Sequence, residues 1–170
     1  MEKNYQNRAI FLDRDGTINM DSDDYIKSIE EVTLISDVDV YLKKLSQLGF
    51  SLVVISNQSG IAKGLVKESI VNEINSYISK ELKEKKCTIH SFYYCPHHPD
   101  DNCKCRKPKP ELLIQASKDW GIDLENSWMI GDKSTDILAG KNAGCNTFQI
   151  EKNGSLREAF NFIKEKVIME

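Results

Sequence analysis

Short apolar runs alternate with amphipathic helical patterns along this chain, and that alternation limits its fold more than any other feature of the sequence. The apolar runs have the length and composition of buried strands, at residues 9–12, 52–55, 89–94, 128–130 and 147–150. Apolar positions three and four residues apart predict helices after the first and second runs, and start and stop signals at Pro110, Gly121, Gly144 and Ser155 predict the later helices. Strands joined by helices pair in parallel through right-handed crossovers. The pattern therefore predicts an α/β fold, an open and mainly parallel sheet covered by helices on both faces.

The length and charge of the chain narrow the classes of protein that it can belong to. Its 170 residues suit one domain with its own core, and we predict a single domain over residues 1–170 with no inserted cap domain. A net charge of −3 provides no broad positive field for nucleic acid. The first residues lack the apolar segment of a signal peptide, and no apolar run is long enough to span a bilayer. We expect a cytoplasmic monomer that binds neither nucleic acid nor a membrane.

Two carboxylates, Asp13 and Asp15, follow the first predicted strand, where Gly16 permits a tight turn. Ligands of such sheets bind beyond the carboxyl ends of the strands. One ionised carboxylate can attack a phosphorus atom, and its neighbour can protonate the leaving oxygen if its pKa is raised. The same residues could instead form a solvated turn.

Further polar groups follow two other predicted strands and should converge with these carboxylates. The second strand leads to Ser56, Asn57, Gln58 and Ser59, whose hydroxyls and amides can donate hydrogen bonds to phosphate oxygens. The fourth strand leads to Gly131, Asp132 and Lys133. Each segment alone is a weak indication, and its position after a strand is what favours a functional role.

A segment at about residues 95–110 contains all four prolines of the chain and three of its five cysteines. Four residues in it are of the types that bind zinc: Cys95, His97, Cys103 and Cys105. Three thiolates and one imidazole suit a closed, structural zinc site, whereas a disulfide would leave one thiol and the histidine unexplained. Zinc would order this loop and hold Arg106 and Lys107 in place. We predict that His98 is a neighbour of the site and that Cys87 and Cys145 are buried.

The ordered motifs resemble those of the haloacid dehalogenase superfamily. They are Asp-Arg-Asp-Gly-Thr from Asp13, Ser-Asn-Gln-Ser from Ser56, the lysine Lys107, and Gly-Asp-Lys around Asp132. The resemblance implies that Asp13 is the nucleophile and that Asp15 is the general acid and base. It implies that Lys107 balances charge on the nucleophile and on the phosphoryl group. It also implies a magnesium ion held by the Asp13 and Asp132 carboxylates and the Asp15 backbone carbonyl. Asp136 could join this site or stabilise the start of a helix.

Within the superfamily, Cys-Pro-His-His-Pro and Cys-x-Cys-Arg-Lys-Pro with Gly-Asp-Lys make residues 10–144 similar to the heptose 1,7-bisphosphate phosphatases. That similarity implies removal of the C7 phosphate, a step that leads to nucleotide-activated heptoses for lipopolysaccharide and other surface glycans. It implies that Arg106 and Lys133 contact the phosphate that stays at C1. In the loop where these enzymes bind substrate, Asp21 and Tyr25 are the corresponding contacts.

Two other functions fit parts of the same sequence. Histidinol-phosphate phosphatases share the zinc loop, and the five residues between the two ligand pairs resemble their spacing, but His98 and Lys133 favour the heptose enzymes. A non-catalytic module that binds sugar phosphates would explain the zinc loop. Such a module would not need Asp13, Asp15 and Lys107, so the presence of all three favours an enzyme. A polynucleotide phosphatase is disfavoured by the acidic balance.

Overall fold

Five parallel strands form one sheet in the computed structural model, which describes residues 7–169. The order across the sheet is β3-β2-β1-β4-β5, with β1 at the centre. The strands are β1 Arg8–Leu12, β2 Phe50–Asn57, β3 Ser91–Cys95, β4 Trp128–Gly131 and β5 Asn146–Gln149. Every residue of β1 is buried, as expected for a strand covered on both faces. The predicted parallel sheet is confirmed.

Five α-helices connect and cover the strands within the described residues. They are α1 Val38–Gln47, α2 Glu68–Glu84, α3 Glu111–Trp120, α4 Ser134–Ala143 and α5 Arg157–Met169. Two 3₁₀ turns lie at Ile29–Glu31 and Pro99–Asp101. Helices α3 and α4 end at Gly121 and Gly144, which have φ of 65° and 88°. Only glycine adopts this left-handed conformation at no steric cost, which is why these glycines predicted the helix ends.

Each face of the sheet has its own apolar core. Ile10 and Leu12 of β1 point into one core with residues of α1, α2 and α5. Ala9 and Phe11 point into the other, which is formed with α3 and α4. Successive side chains of a strand alternate between faces, so the central strand contributes to both cores. The prediction of helices on both faces is confirmed.

The third strand begins two residues later than predicted because His90 bonds to the neighbouring strand in another way. The His90 backbone N–H donates to the Leu52 carbonyl, and the His90 Nδ1 accepts from the Leu52 N–H at 3.1 Å. The imidazole thus takes the place of a backbone acceptor at this position. At its other end, strand β3 stops at Cys95, the first residue of the predicted zinc site.

None of the helices described within residues 7–169 is long and apolar enough to cross a membrane.

Candidate active site

Three carboxylates meet at the carboxyl edge of the sheet. Asp13 follows β1, Asp132 follows β4, and Asp136 lies in the first turn of α4. Each offers an oxygen atom within 4.8 Å of the others. The predicted convergence of Asp13 and Asp132 is observed, and Asp136 is part of the same cluster.

A buried lysine neutralises part of this negative charge. The Lys107 Nζ donates to Asp13 Oδ1 at 2.8 Å and lies 2.7 Å from Asp136 Oδ1. It also donates to the Ile55 carbonyl at 2.6 Å, and the side chain is only 2% exposed. Burial acts to lower the pKa of Lys107, but Asp13 and Asp136 raise it above its usual value, so the amine stays charged. The ammonium group thus lies where the sequence predicted a counter-charge for Asp13.

One lysine does not offset the whole cluster. Burial, together with the charge of Asp136, raises the pKa of Asp13 to about 7 although Lys107 acts to lower it. The Asp132 Oδ1 is buried and has no hydrogen-bond partner among the described residues. Carboxylate oxygens with spare negative charge are the ligands that Mg²⁺ prefers, so Asp13 and Asp132 fit such an ion.

Two glycines make this close approach of carboxylates possible. A Cβ atom on Gly16 would lie 2.7 Å from Asp132 Oδ2, and one on Gly131 would lie 2.2 Å from Asp136 Oδ2. Neither distance is possible for a real side chain. The site therefore requires glycine at both positions, and the φ of 90° at Gly16 favours glycine there as well.

Asp136 has the role at the start of a helix that the sequence allowed, while its part in a magnesium site stays a prediction. Its Oδ2 accepts from the Lys133 backbone N–H at 3.0 Å, a capping bond at the start of α4. Its other oxygen is the one beside Lys107. The residue is 1% exposed, so it stabilises the helix terminus and the buried ammonium group together.

Asp15 is held as a carboxylate by four hydrogen bonds. Arg14 donates through Nε to Oδ1 at 3.0 Å and through Nη2 to Oδ2 at 3.1 Å, and the Asn19 and Gln58 amides donate at 2.9 and 3.1 Å. Although burial alone would raise the pKa of Asp15, the charge of Arg14 and these bonds hold it below its usual value. The sequence interpretation required a raised pKa for this residue. That requirement is wrong for the free protein, because the fully buried Arg14 supplies the opposite charge.

The polar residues at the end of β2 and directly after it are largely bonded to other parts of the protein. The Asn57 amide donates to the Lys107 carbonyl at 3.1 Å and accepts from the Lys107 N–H at 3.0 Å. The Gln58 amide lies between Asp15 and Ser56, whose hydroxyl is 3.3 Å away. Sequence reasoning proposed Asn57 and Gln58 as substrate contacts, and the structure shows them orienting Lys107 and Asp15.

The predicted substrate loop lies beside this edge of the sheet. The Tyr25 hydroxyl accepts from Lys63 at 2.7 Å and is 3.4 Å from Ser59 Oγ. On the other side, Asp21 Oδ2 is 3.5 Å from the Lys133 Nζ. Arg106 Nη1 is buried and has no hydrogen-bond partner among residues 7–169. The structure thus brings Asp21 to Lys133 and Tyr25 to Ser59.

Sequence reasoning missed three cationic side chains that lie beside Asp15 or beside the predicted substrate loop. Arg14 stood in the variable position between two aspartates, and Lys63 and Lys152 lie in loops with no motif of their own. The Lys152 Nζ is 3.3 Å from Asp21 Oδ2. The contacts of Lys63 and Lys152 join segments that are distant in sequence, and the effect of Arg14 on Asp15 depends on its burial. Neither kind of contact can be recognised from residue spacing.

The predicted zinc ligands are brought together. The Cys95 Sγ lies 3.5 Å from both His97 Nδ1 and Cys103 Sγ, while Cys105 Sγ lies 3.2 Å from His97 Nδ1 and 3.8 Å from Cys103 Sγ. Zinc–sulfur bonds of about 2.3 Å in a tetrahedron put sulfur atoms about 3.8 Å apart. The four side chains can therefore hold a zinc ion. His98 instead accepts from the Asp100 N–H, as expected of a neighbour, and Cys87 and Cys145 are buried as predicted.

Loss of one of these ligands is expected to destabilise the whole protein. In Cys105→Ser we expect the zinc content to fall well below one ion per chain and the Tm to fall by roughly 10 °C, because the loop has few apolar contacts of its own. Elemental analysis and thermal unfolding measure the two effects. The exposed Lys104 in the same loop gives the control Lys104→Ala, which should keep both values. Zinc-free wild-type protein should show the same lowered Tm as Cys105→Ser, and a zinc-free wild type that kept the Tm of the zinc-loaded protein would contradict the prediction.

Comparison with known proteins gives one consistent result. A family model described as HAD-hydrolase-like, where HAD denotes haloacid dehalogenase, matches residues 104–165. A D-glycero-β-D-manno-heptose-1,7-bisphosphate 7-phosphatase of Helicobacter pylori is 44% identical over 81% of this chain and 79% of its own. A phosphatase of Photorhabdus laumondii named for the α anomer is 38% identical over 86% and 84% of the two chains. The crystal structure of a D,D-heptose 1,7-bisphosphate phosphatase from B. bronchiseptica, complexed with magnesium and phosphate, superposes with a TM-score of 0.81. It is 32% identical and covers 91% of this chain and 86% of its own.

Proposed function

Because the chain belongs to the heptose-bisphosphate phosphatases of the haloacid dehalogenase superfamily, we propose that it removes the C7 phosphate of D-glycero-D-manno-heptose 1,7-bisphosphate. The observation that carries the proposal is the buried pair of Asp13 and Lys107 beside Asp132 and Asp136. A carboxylate next to a fixed ammonium group can attack a phosphate while the developing charge is balanced. The chain is accordingly a phosphatase.

Asp13 is the nucleophile in this proposal. Its carboxylate attacks the phosphorus, the bond to the C7 oxygen breaks, and the phosphoryl group stays on Asp13 as an aspartyl-phosphate. Lys107, already within 2.8 Å of the carboxylate, balances the charge of the transferred group. In this proposal the Ser56 hydroxyl, near the carboxyl end of β2, donates a hydrogen bond to a phosphoryl oxygen.

Asp15 moves the protons. It gives a proton to the C7 oxygen as that oxygen leaves, and its carboxylate then takes a proton from the water that hydrolyses the aspartyl-phosphate. In the free protein Arg14 keeps Asp15 ionised. A phosphate dianion bound nearby disfavours a second negative charge and raises the pKa of the carboxyl, so substrate binding itself favours the protonated acid.

Asp13 and Asp132, with the Asp15 backbone carbonyl, would hold Mg²⁺. When bound there, the ion supplies positive charge to the phosphoryl oxygens. The buried, unpartnered Asp132 Oδ1 supports this assignment. Zinc in the Cys95–Cys105 loop would have a structural role, since its four ligands leave no open position.

The rest of the substrate is recognised by the loops around the edge of the sheet. Arg106 and Lys133 bind the C1 phosphate as cations, and Asp21 and Tyr25 contact the sugar hydroxyls. Support comes from the unpartnered Arg106 Nη1 and from the exposed Lys133 ammonium beside Asp21.

The other two functions have less support. Both curated relatives named above act on heptose bisphosphate, by their names, which disfavours histidinol phosphate. The non-catalytic binding module is disfavoured because Asp13, Lys107 and Asp132 are assembled with the charges that catalysis requires.

One assay tests this function directly. With saturating Mg²⁺, we expect kcat/KM for the α or β anomer of the bisphosphate to exceed that for histidinol phosphate at least about tenfold, since a lost phosphate contact costs more than about 1.4 kcal/mol. Phosphate release is the measured quantity, and both anomers are assayed because the relatives are named for different ones. A preference for histidinol phosphate would overturn the substrate, and tight binding without turnover would support the module.

A further inference from the structure

The loop between β5 and α5, residues 150–156, contacts two segments of the candidate active site through one residue. The Asn153 backbone N–H donates to the Gly16 carbonyl at 2.9 Å. The Asn153 side-chain Oδ1 accepts from the Asp21 backbone N–H at 2.7 Å. Nothing in the sequence singles out this loop, yet it joins the turn after β1 to the predicted substrate loop.

We propose that Asn153 is a positioning residue that holds Asp21 between Lys133 and Lys152 and thereby sets the preference for substrates with a second phosphate. The proposal rests on the proposed function and deepens it. It concerns how the enzyme selects a bisphosphate and leaves the chemistry at Asp13 unchanged.

The charges around Asp21 are the first support. Its Oδ2 lies 3.5 Å from the Lys133 Nζ and 3.3 Å from the Lys152 Nζ. The Asp21 side chain is 16% exposed, whereas the two lysine side chains are 51% and 48% exposed. Two ammonium groups that would otherwise repel each other are kept near one point by a shared carboxylate. A phosphate dianion is the kind of ligand that two such groups can bind together.

The bonding of the substrate loop is the second support. Within the loop, Ser22 donates its backbone N–H to Asp21 Oδ1, and the Asp24 N–H binds the Ser22 hydroxyl. Those bonds shape the loop locally and do not attach it to the sheet. The bond from the Asp21 N–H to Asn153 does attach it, to a residue whose backbone is itself bonded to Gly16. Without the side-chain acceptor, the Asp21 backbone loses this bond, and the nearest remaining backbone bonds are those of Met20 with Thr33 and the Asn19 amide, so Asp21 is held less firmly beside Lys133.

The backbone conformation of Asn153 separates its two contacts. Its φ of 61° is left-handed, which asparagine, aspartate and glycine tolerate better than other residues. Glycine at this position keeps the conformation and the N–H bond to Gly16 but has no acceptor for Asp21. Aspartate keeps the conformation, the N–H bond and an acceptor oxygen. The side-chain contact can therefore be removed without disturbing the turn next to Asp15.

The test compares Asn153→Gly and Asn153→Asp with the wild type on two substrates that carry the same C7 phosphate. These are heptose 1,7-bisphosphate and heptose 7-phosphate, which lacks the phosphate at C1. For Asn153→Gly we expect the ratio of their kcat/KM values to fall about tenfold, mainly through a higher KM for the bisphosphate, with kcat on heptose 7-phosphate within about twofold of wild type. For Asn153→Asp we expect the ratio to stay within about threefold of wild type.

Two outcomes would overturn the proposal. One is an unchanged ratio in Asn153→Gly, whether both values of kcat/KM stay at the wild-type level or fall equally with a lower Tm, which would make Asn153 part of the scaffold only. The other is a tenfold fall of the ratio in Asn153→Asp as well, which would show that the acceptor oxygen for the Asp21 N–H does not set the preference. The wild-type measurement tests the proposed function separately, because a wild-type enzyme without preference for the bisphosphate contradicts that function before any variant is considered.

Discussion

Asp13→Asn is expected to lower the rate of phosphate release at least about 10⁴-fold, because an amide has nearly the shape of the carboxylate but cannot attack phosphorus. The variant should also fail to form an aspartyl-phosphate. Rapid acid quenching with substrate labelled at the C7 phosphate measures this directly, since the wild-type chain should carry label and the variant chain should not.

The structure provides reasons for the variant to remain folded and a control for it. Lys107 keeps its contact with Asp136 at 2.7 Å, so the buried ammonium group is not left without a carboxylate. Asp119→Asn makes the same chemical change at an exposed position on α3 and should retain full activity. Substantial turnover by Asp13→Asn, or label transferred to another residue of that variant, would disprove the assignment of the nucleophile.

The sheet could be predicted from the sequence because its strands are local apolar runs. A parallel strand that is covered on both faces has an almost continuous apolar sequence. Strand β1, with all five residues buried, is an example. Helix ends followed from Gly121 and Gly144, whose conformations are local properties. The topology then predicted that Asp13 lies at the carboxyl edge of the sheet. It also predicted that residues at the ends of neighbouring strands lie close to Asp13.

Other parts of the site could not be predicted because they depend on contacts between distant segments. The Asn57 amide holds the Lys107 backbone across fifty positions of sequence, and Asn153 holds Asp21 across 132. Arg14 was the variable position of its motif, and only its burial against Asp15 makes its charge decisive for the pKa. A pattern of residue types contains no information on which amide binds which backbone group.

The zinc loop and Asn57, the last residue of β2, both hold Lys107 in place. Cys105 is two residues before Lys107, and the Asn57 amide binds both the N–H and the carbonyl of Lys107. The chain is thus fixed on either side of the lysine, and the Nζ is bonded to Ile55, Asp13 and Asp136. A lysine side chain loses considerable conformational entropy when it is immobilised. Several elements are therefore needed to hold this ammonium group against the nucleophile.

Lys107→Met should consequently affect both activity and stability. Methionine has a similar length and no charge, so it leaves Asp13 and Asp136 buried beside each other without their shared cation. Removing one partner of a buried ion pair costs about 3–5 kcal/mol in the free energy of unfolding, and we expect a loss of that size in Mg²⁺-free buffer without chelator, measured by urea unfolding. Turnover should fall by at least about 10³-fold, because nothing then balances charge on the phosphoryl group.

Lys104→Met is the matched control, since Lys104 is exposed in the same loop and the substitution is chemically identical. Added Mg²⁺ should restore more unfolding free energy to Lys107→Met than to the wild type, because the cation binds carboxylates whose own counter-charge is missing. A loss below about 1 kcal/mol, within the range of a surface ion pair, would show that the cluster tolerates its charge without Lys107. The lysine would then serve catalysis alone, and the stability of the acidic edge would have to come from the helix terminus at Lys133 and Asp136.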